Sequence, residues 1–197
     1  MPRPGITSVT TKTGVARGSF VWNGSRYEVF STSLLKVTDD DLGTTSVVGT
    51  IAGTANIDFA IGFNHAVIIS REAGGLGYTL DSSDTLTEIT DVNFVASNSV
   101  AHMDGRFVFI PFDGDPAFFS DVGDGSTIQS VSFFDAEELP DKNKVVFNFR
   151  NVLYIGGTDS FELFRTIVAS PIPYQRLNAR LQYGYIGGIT EYGGTFA

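Results

Sequence analysis

Two histidines, His65 and His102, and four closely spaced aspartates, Asp113, Asp115, Asp121 and Asp124, have the types and spacing that could do chemistry. Imidazoles ligate transition metals, and clustered carboxylate oxygens suit calcium, for which Asp113-Gly-Asp reads as half a binding loop. The bidentate Glu that closes such a loop is missing at its required spacing, so the four aspartates read as exposed turn residues. The histidines could pair on a metal, but both fall at or beside hairpin turns, and turn or strand histidines account for them. Gly74-Gly-Leu-Gly and Gly123-Asp-Gly have the glycine content of phosphate cradles. Neither is followed by Lys-Ser/Thr or a helix, so both read as loops. There is no Gly-x-Ser-x-Gly elbow, no His-Glu-x-x-His and no cysteine. No residue is therefore assigned a catalytic, cofactor-binding or metal-binding role, and the chain does not read as an enzyme.

The elements that would carry these residues repeat. Four apolar-turn-apolar units stand out: Gly18–Val29, Phe59–Ile69, Val100–Ile110 and Val145–Ile155. Hairpin turns are expected near Asn23-Gly24, Asn64-His65, Asp104-Gly105 and Arg150-Asn151; Asn-Gly and Asp-Gly tolerate the positive φ of tight hairpins. Tyr27, Val67, Phe107 and Leu153 stand 40, 40 and 46 residues apart, and Phe196 follows Leu153 by 43. Further short strands are expected at 34–37, 47–51, 78–80, 86–89, 117–120 and 161–164. About four short strands per forty-odd residues is the spacing of a β-propeller blade. The expected fold is all-β and β-propeller-like: consecutive four-stranded antiparallel blades in a single domain over 1–197. Four blades and the start of a fifth fit the length, leaving the propeller incomplete. A sandwich or barrel is the competing all-β reading.

Helix is scarce in this reading. Asp135–Leu139 could form one turn stopped by Pro140, and Leu177 with Leu181, at i, i+4, allows a short helix. The segment from Ile186 to Ala197 is expected to open the fifth blade, with Gly193-Gly194 as its turn. Residues 6–11 are a candidate strand to close a blade from the other end of the chain.

Composition bounds the function. Phe at 17 copies supplies core bulk, and 22 glycines with few charged residues suit a turn-rich domain. A net charge of −9 with 13 scattered basic residues argues against a surface that wraps nucleic acid. Met1-Pro-Arg-Pro-Gly lacks the apolar core of a signal peptide, so the Asn23-Gly-Ser sequon reads as a turn. The longest apolar runs, such as Phe107–Phe112, are far too short to span a bilayer, and no membrane partner is expected.

Ser120-Asp-Val-Gly-Asp-Gly-Ser-Thr is distantly similar to the Asp-box of propeller sialidases, but lacks its residue order and following aromatic. A glycosidase would also need two carboxylates facing a sugar, and nothing in the sequence pairs them. A propeller-like module that binds or hydrolyses carbohydrate remains the alternative.

A second resemblance runs over most of the chain and is strongest in its second half. In order, the matching pieces are Arg3-Pro-Gly-Ile, Asp104-Gly-Arg-Phe-Val-Phe, Phe119-Ser-Asp, Phe134-Asp-Ala-Glu, Pro140-Asp141, Leu153-Tyr-Ile-Gly-Gly, Ser160-Phe-Glu-Leu-Phe, Pro173-Tyr-Gln-Arg and Gly184. This series resembles the tail hub, or packaged-DNA stabilisation, proteins of short-tailed bacteriophages. Members of that family run to several hundred residues and carry a segment ahead of the Arg-Pro-Gly motif, so this chain looks like a fragment or a shortened relative. The resemblance implies a structural virion protein assembled in the host cytoplasm into a tail. It implies a homo-oligomeric ring, a hexamer, that meets a portal or adaptor and a tailspike or needle. Packaged DNA would be met only through the channel, with no cofactor. An acidic channel wall repels phosphate, which would let DNA slide past.

Overall fold

The computed structural model describes residues 12–39, 44–135, 141–181, 191–192 and 195–196. Every regular element in it is a strand. The first sheet is β1 (Ala16–Trp22), β2 (Ser25–Phe30), β3 (Ser33–Asp39) and β4 (Thr44–Thr50). The second is β5 (Ile57–Ile61), β6 (His65–Ser70), β7 (Gly77–Asp81) and β8 (Leu86–Glu88). The third is β9 (Ser97–Met103), β10 (Arg106–Pro111), β11 (Ala117–Phe119) and β12 (Phe133–Phe134). The fourth is β13 (Asn143–Phe149), β14 (Val152–Gly157), β15 (Phe161–Thr166) and β16 (Tyr174–Leu181). A last antiparallel pair, β17 (Glu191–Tyr192) and β18 (Thr195–Phe196), matches Tyr192 with Thr195.

Each four-stranded sheet is an antiparallel meander with its strands side by side in chain order. The first strands pack in series, β1 on β5, β5 on β9 and β9 on β13, so the sheets succeed one another as blades. The expected β-propeller-like architecture is thus present. The turns come from residues that accept a left-handed backbone. Asn23 and Gly24 have φ of 48° and 73°, Asp104 and Gly105 48° and 79°, and Arg150 and Asn151 52° and 58°. Positive φ at both central positions is the twist that a two-residue hairpin needs. In the second blade the turn falls at Gly62–Asn64, closed by the Gly62 amide on the His65 carbonyl at 2.9 Å, and His65 already belongs to β6.

One expectation fails. Leu177 and Leu181 lie in strand β16, not a helix, with Tyr174 opposite Thr166 and Gln175 opposite Arg165. An i, i+4 spacing is also an even spacing, which a strand satisfies as readily, and the edge of β15 needed a partner. The turn expected over 135–139 falls mostly outside the described residues, as do residues 6–11 and Gly193-Gly194.

Among the described residues the core forms three seams between blades. Phe20, Tyr27, Val29, Leu34, Ala66, Ile68 and Leu80 fill the first. Ala60, Val67, Ile69, Phe107, Phe109 and Phe118 fill the second, and Met103, Val108, Ile110, Phe119, Leu153, Ile155, Phe164 and Tyr174 the third. Alternation explains the division. Along β10, Phe107 and Phe109 point into one seam while Val108 and Ile110 point into the next. Aromatic rings meet across and along the seams: Phe20 stacks on Phe59 at 4.8 Å, Phe109 on Phe118 at 4.8 Å, and Phe134 on Tyr174 at 5.2 Å.

The first seam also holds a buried cation. Arg17 is 2% exposed, and its guanidinium donates to the carbonyls of Ser31 at 2.9 Å, Ile51 at 2.8 Å and Ala52 at 3.0 Å. It donates as well to Ala55 O and, at 2.7 Å, to Ser70 Oγ, which in turn donates to Glu72. One residue on, Gly18 lets the blades close, since a Cβ there would sit 2.5 Å from Ile57 Cγ1. Replacing Arg17 by Met would leave the buried Ile51 carbonyl and the part-buried carbonyls of Ser31, Ala52 and Ala55 without this donor, at about 1–3 kcal/mol for each one left dry. Arg17→Met is therefore expected to lower stability by at least about 3 kcal/mol, read as a lower urea midpoint at unchanged m.

Candidate functional site

In a four-stranded meander the first and third connections emerge at one end, here called the turn end, and the second connection at the other. Polar groups join neighbouring blades at the turn end in a recurring pattern. The first hairpin of one blade holds the third connection of the next. In the first seam, Tyr27 Oη donates to Asp84 Oδ1 at 2.6 Å and Lys36 Nζ to Asp84 Oδ2 at 2.7 Å. In the second, the Gly125 amide donates to His65 Nε2 at 2.8 Å. In the third, Thr166 Oγ1 donates to the Asp104 carboxylate, and Asn148 Nδ2 to the His102 carbonyl at 3.0 Å.

Nearer the axis, the first strands are stitched by side chains reaching the neighbouring backbone. Asp58 Oδ2 accepts from the Val100 amide and from Ser99 Oγ, both at 3.0 Å. Ser99 Oγ also lies 3.2 Å from the Val146 amide and 3.3 Å from its carbonyl, and Asn98 Nδ2 donates to Lys144 O at 2.7 Å. Burial raises the Asp58 carboxyl above the usual carboxylate range, against the bonds from Val100 and Ser99.

The residues singled out from the sequence are not all brought together. Asp113 and Asp115 sit in the β10–β11 connection, and Asp121 and Asp124 in the β11–β12 connection, at opposite ends of the third blade. Asp115 accepts from Asn143 and Asp121 from Gln129, both at 2.7 Å. Asp124 takes the Ser126 amide, the Ser126 hydroxyl and the Thr127 hydroxyl, a turn that satisfies itself. No group of three or more His, Asp or Glu side chains stands ready for a metal among the described residues. The Ser120–Thr127 segment serves folding: Ser120 Oγ accepts from the Phe107 amide at 3.0 Å, and Gly123 N donates to Gly105 O at 2.7 Å. Gly74 and Gly75 make the β6–β7 connection, where the Gly75 amide donates to Glu72 O at 2.8 Å.

His65 and His102 do converge, on one ring. Their imidazoles lie 5.1 Å and 5.0 Å from the centroid of the buried Phe107, and Phe63 meets His102 edge-on at 5.6 Å. Burial lowers His65, opposed by the Asp124 charge; burial and then the neighbouring His65 lower His102. Arg17, Asp58, Ser99 and Asp84 escaped the sequence reading. For Asp58 the available signal was a polar residue inside an otherwise apolar strand, Ile57-Asp58-Phe59.

A single row of meander blades, joined side by side through their first strands, defines a β-propeller protein. The Bacteriophage P22 Gp10, beta-propeller family model matches residues 1–197, and the chain belongs to this phage stabilisation family. Among curated proteins there is no match. Several solved structures share the fold. The computationally designed Ika4 protein is 11% identical with a TM-score of 0.54, over 80% of this chain and 95% of Ika4. YCF48, solved bound to D1 peptide, is 14% identical at a TM-score of 0.57, over 83% of this chain and 53% of YCF48. A luciferin-regenerating enzyme is 11% identical at a TM-score of 0.59, over 87% of this chain and 64% of the enzyme. The chain thus spans about half the length of YCF48 and under two thirds of that enzyme.

Asp84 should report on the first seam. Burial raises its carboxyl, and the bonds from Lys36 and Tyr27 outweigh that and hold it below the ordinary value. A depressed carboxyl stabilises above its unfolded pKa and loses that contribution as pH falls through its folded value. Tyr27→Phe is expected to cost about 1 kcal/mol near neutrality. Asp84→Asn should cost more, and should flatten part of the stability loss below the ordinary carboxylate range in urea titrations at successive pH values.

Proposed function

We propose that this chain is a non-enzymatic structural element of a phage tail, a hub or plug that retains packaged DNA and links a portal-adaptor to a tailspike or needle. The observation that carries the reading is membership of the phage stabilisation family over the whole chain. Three further features support it. Arg17, Asp84 and Asp58, polar side chains of the seams, are engaged in joining blades. At the turn end of successive blades Phe63, Val122 and Val168 are 88%, 64% and 109% exposed, the kind of apolar surface that subunit contacts cover. The net charge of −9 suits a passage along which DNA moves without sticking. In this reading copies of the chain assemble in the host cytoplasm as a homo-oligomeric ring of the virion tail, a hexamer in the family pattern, without membrane or cofactor.

Particles made in cells lacking this protein are expected to package DNA and then lose it, with retention restored when the protein is supplied. DNA content of purified particles before and after a salt wash measures this. Particles that keep their DNA and infect normally without the protein, or virions that contain none of it by mass spectrometry, would defeat the proposal.

A further inference from the structure

His65 is the one histidine of the pair whose ring nitrogen takes part in joining two blades. It opens β6 of the second blade, and the group that reaches it is the Gly125 amide from the β11–β12 connection of the third. An amide can only donate, so Nε2 carries a lone pair and the ring proton sits on Nδ1. The loop is seated closely. A Cβ at Gly125 would fall 2.5 Å from Val67 Cγ2, 2.8 Å from His65 Nε2 and 3.1 Å from the Phe107 ring. Nothing bulkier than glycine fits between the loop and the imidazole.

We infer that His65 is a proton-sensitive latch between the second and third blades, and that protonating Nε2 releases the 120–132 connection. A proton on Nε2 sets two donors head to head at 2.8 Å, which neither can satisfy. The charged groups around the pair do not rescue the contact. Asp124, on the same loop, attracts an imidazolium but already accepts three hydrogen bonds from Ser126 and Thr127. Asp121 is held by Gln129, and Asp81, opposite His65 on β7, accepts from the Ser83 and Thr85 amides. Arg106 donates to the Ser120 carbonyl at the root of the loop, and its positive charge does not favour a second cation. His102, across Phe107, adds a like charge once it titrates, beside Asp104, which attracts it. Asp58 ties the same two blades nearer the axis.

Both imidazoles are held below the free value of 6.5, chiefly by burial. The unfolded chain therefore binds more protons than the folded one just below that value. The stabilisation is complete above it and is lost as pH falls from there through the folded pKa.

The test uses the whole 197-residue chain, labelled with nitrogen-15. At about pH 8 the His65 ring shifts should show Nδ1 protonated and Nε2 bare, and once the pH is lowered past the ring's own midpoint, followed in the same titration, both protonated. Corrected for its intrinsic pH dependence, Gly125 amide exchange should rise about tenfold or more between those conditions, with its loop neighbours following. The Ala52 amide, which donates to the Tyr78 hydroxyl in the first seam, should not change. His65→Gln, which keeps an acceptor but cannot become a cation, should remove the step; His102→Gln should retain it. A proton on Nε2 at the higher pH, unchanged Gly125 protection, or an undiminished step in His65→Gln would each overturn the inference. Should His65→Gln fail to fold, the first two readouts on the unmodified chain still decide.

Discussion

A narrow sheet packed between two others must be apolar on both faces, and most of this molecule follows from that constraint. The usual alternation of polar and apolar residues is unavailable to a central strand with neighbours on both sides. Ala66 to Ile69 and Phe107 to Ile110 are accordingly unbroken apolar runs, fully buried, with odd and even positions serving different seams. Shifting the register of such a strand by one residue would exchange its two apolar faces rather than expose one. The alternation that fixes register in half-exposed sheets is therefore weak here. Turn geometry has to supply the specification: paired left-handed residues do so in the first hairpins of the first, third and fourth blades, and the Gly62–His65 turn in the second.

Polar side chains supply the specification between blades. Dispersion and burial hold two apolar faces together but say little about how far one slides on the other. Arg17, with its guanidinium spread over four carbonyls and a hydroxyl, defines one relative position of the first two blades. Asp58 and Ser99 do the same for the following first strands. These contacts cost desolvation and return it only when every partner is in place, so an offset arrangement is penalised more steeply than by apolar contact alone.

The repeat was legible because the hairpins carry their own chemistry: Asn23-Gly24 and Asp104-Gly105 announce a tight turn, and the flanking apolar runs announce burial. The strand β12 was not legible. Two phenylalanines, Phe133 and Phe134, pair with Phe118 and Ala117 after a long connection, and so short a strand carries no period of its own. β16 was misread because its leucines satisfy two periods at once. Asp113, Asp115, Asp121 and Asp124 stand close in sequence and were read as turn residues, but closeness in sequence spans the length of β11, which carries one pair to each end of the blade. Arg17 gave no signal of burial, since its residue type is nearly always at the surface.

The packing runs from each blade to the next one along the chain, and within a blade each strand pairs with its immediate successor. Such an architecture can be completed in the order of synthesis. A blade that has left the ribosome has its internal pairings already available, and the face it leaves uncovered is the one that the next forty-odd residues will cover. The growing chain thus exposes one unfinished seam at a time. Within this row, the seam face left open at each stage of translation is that of the blade that has most recently emerged.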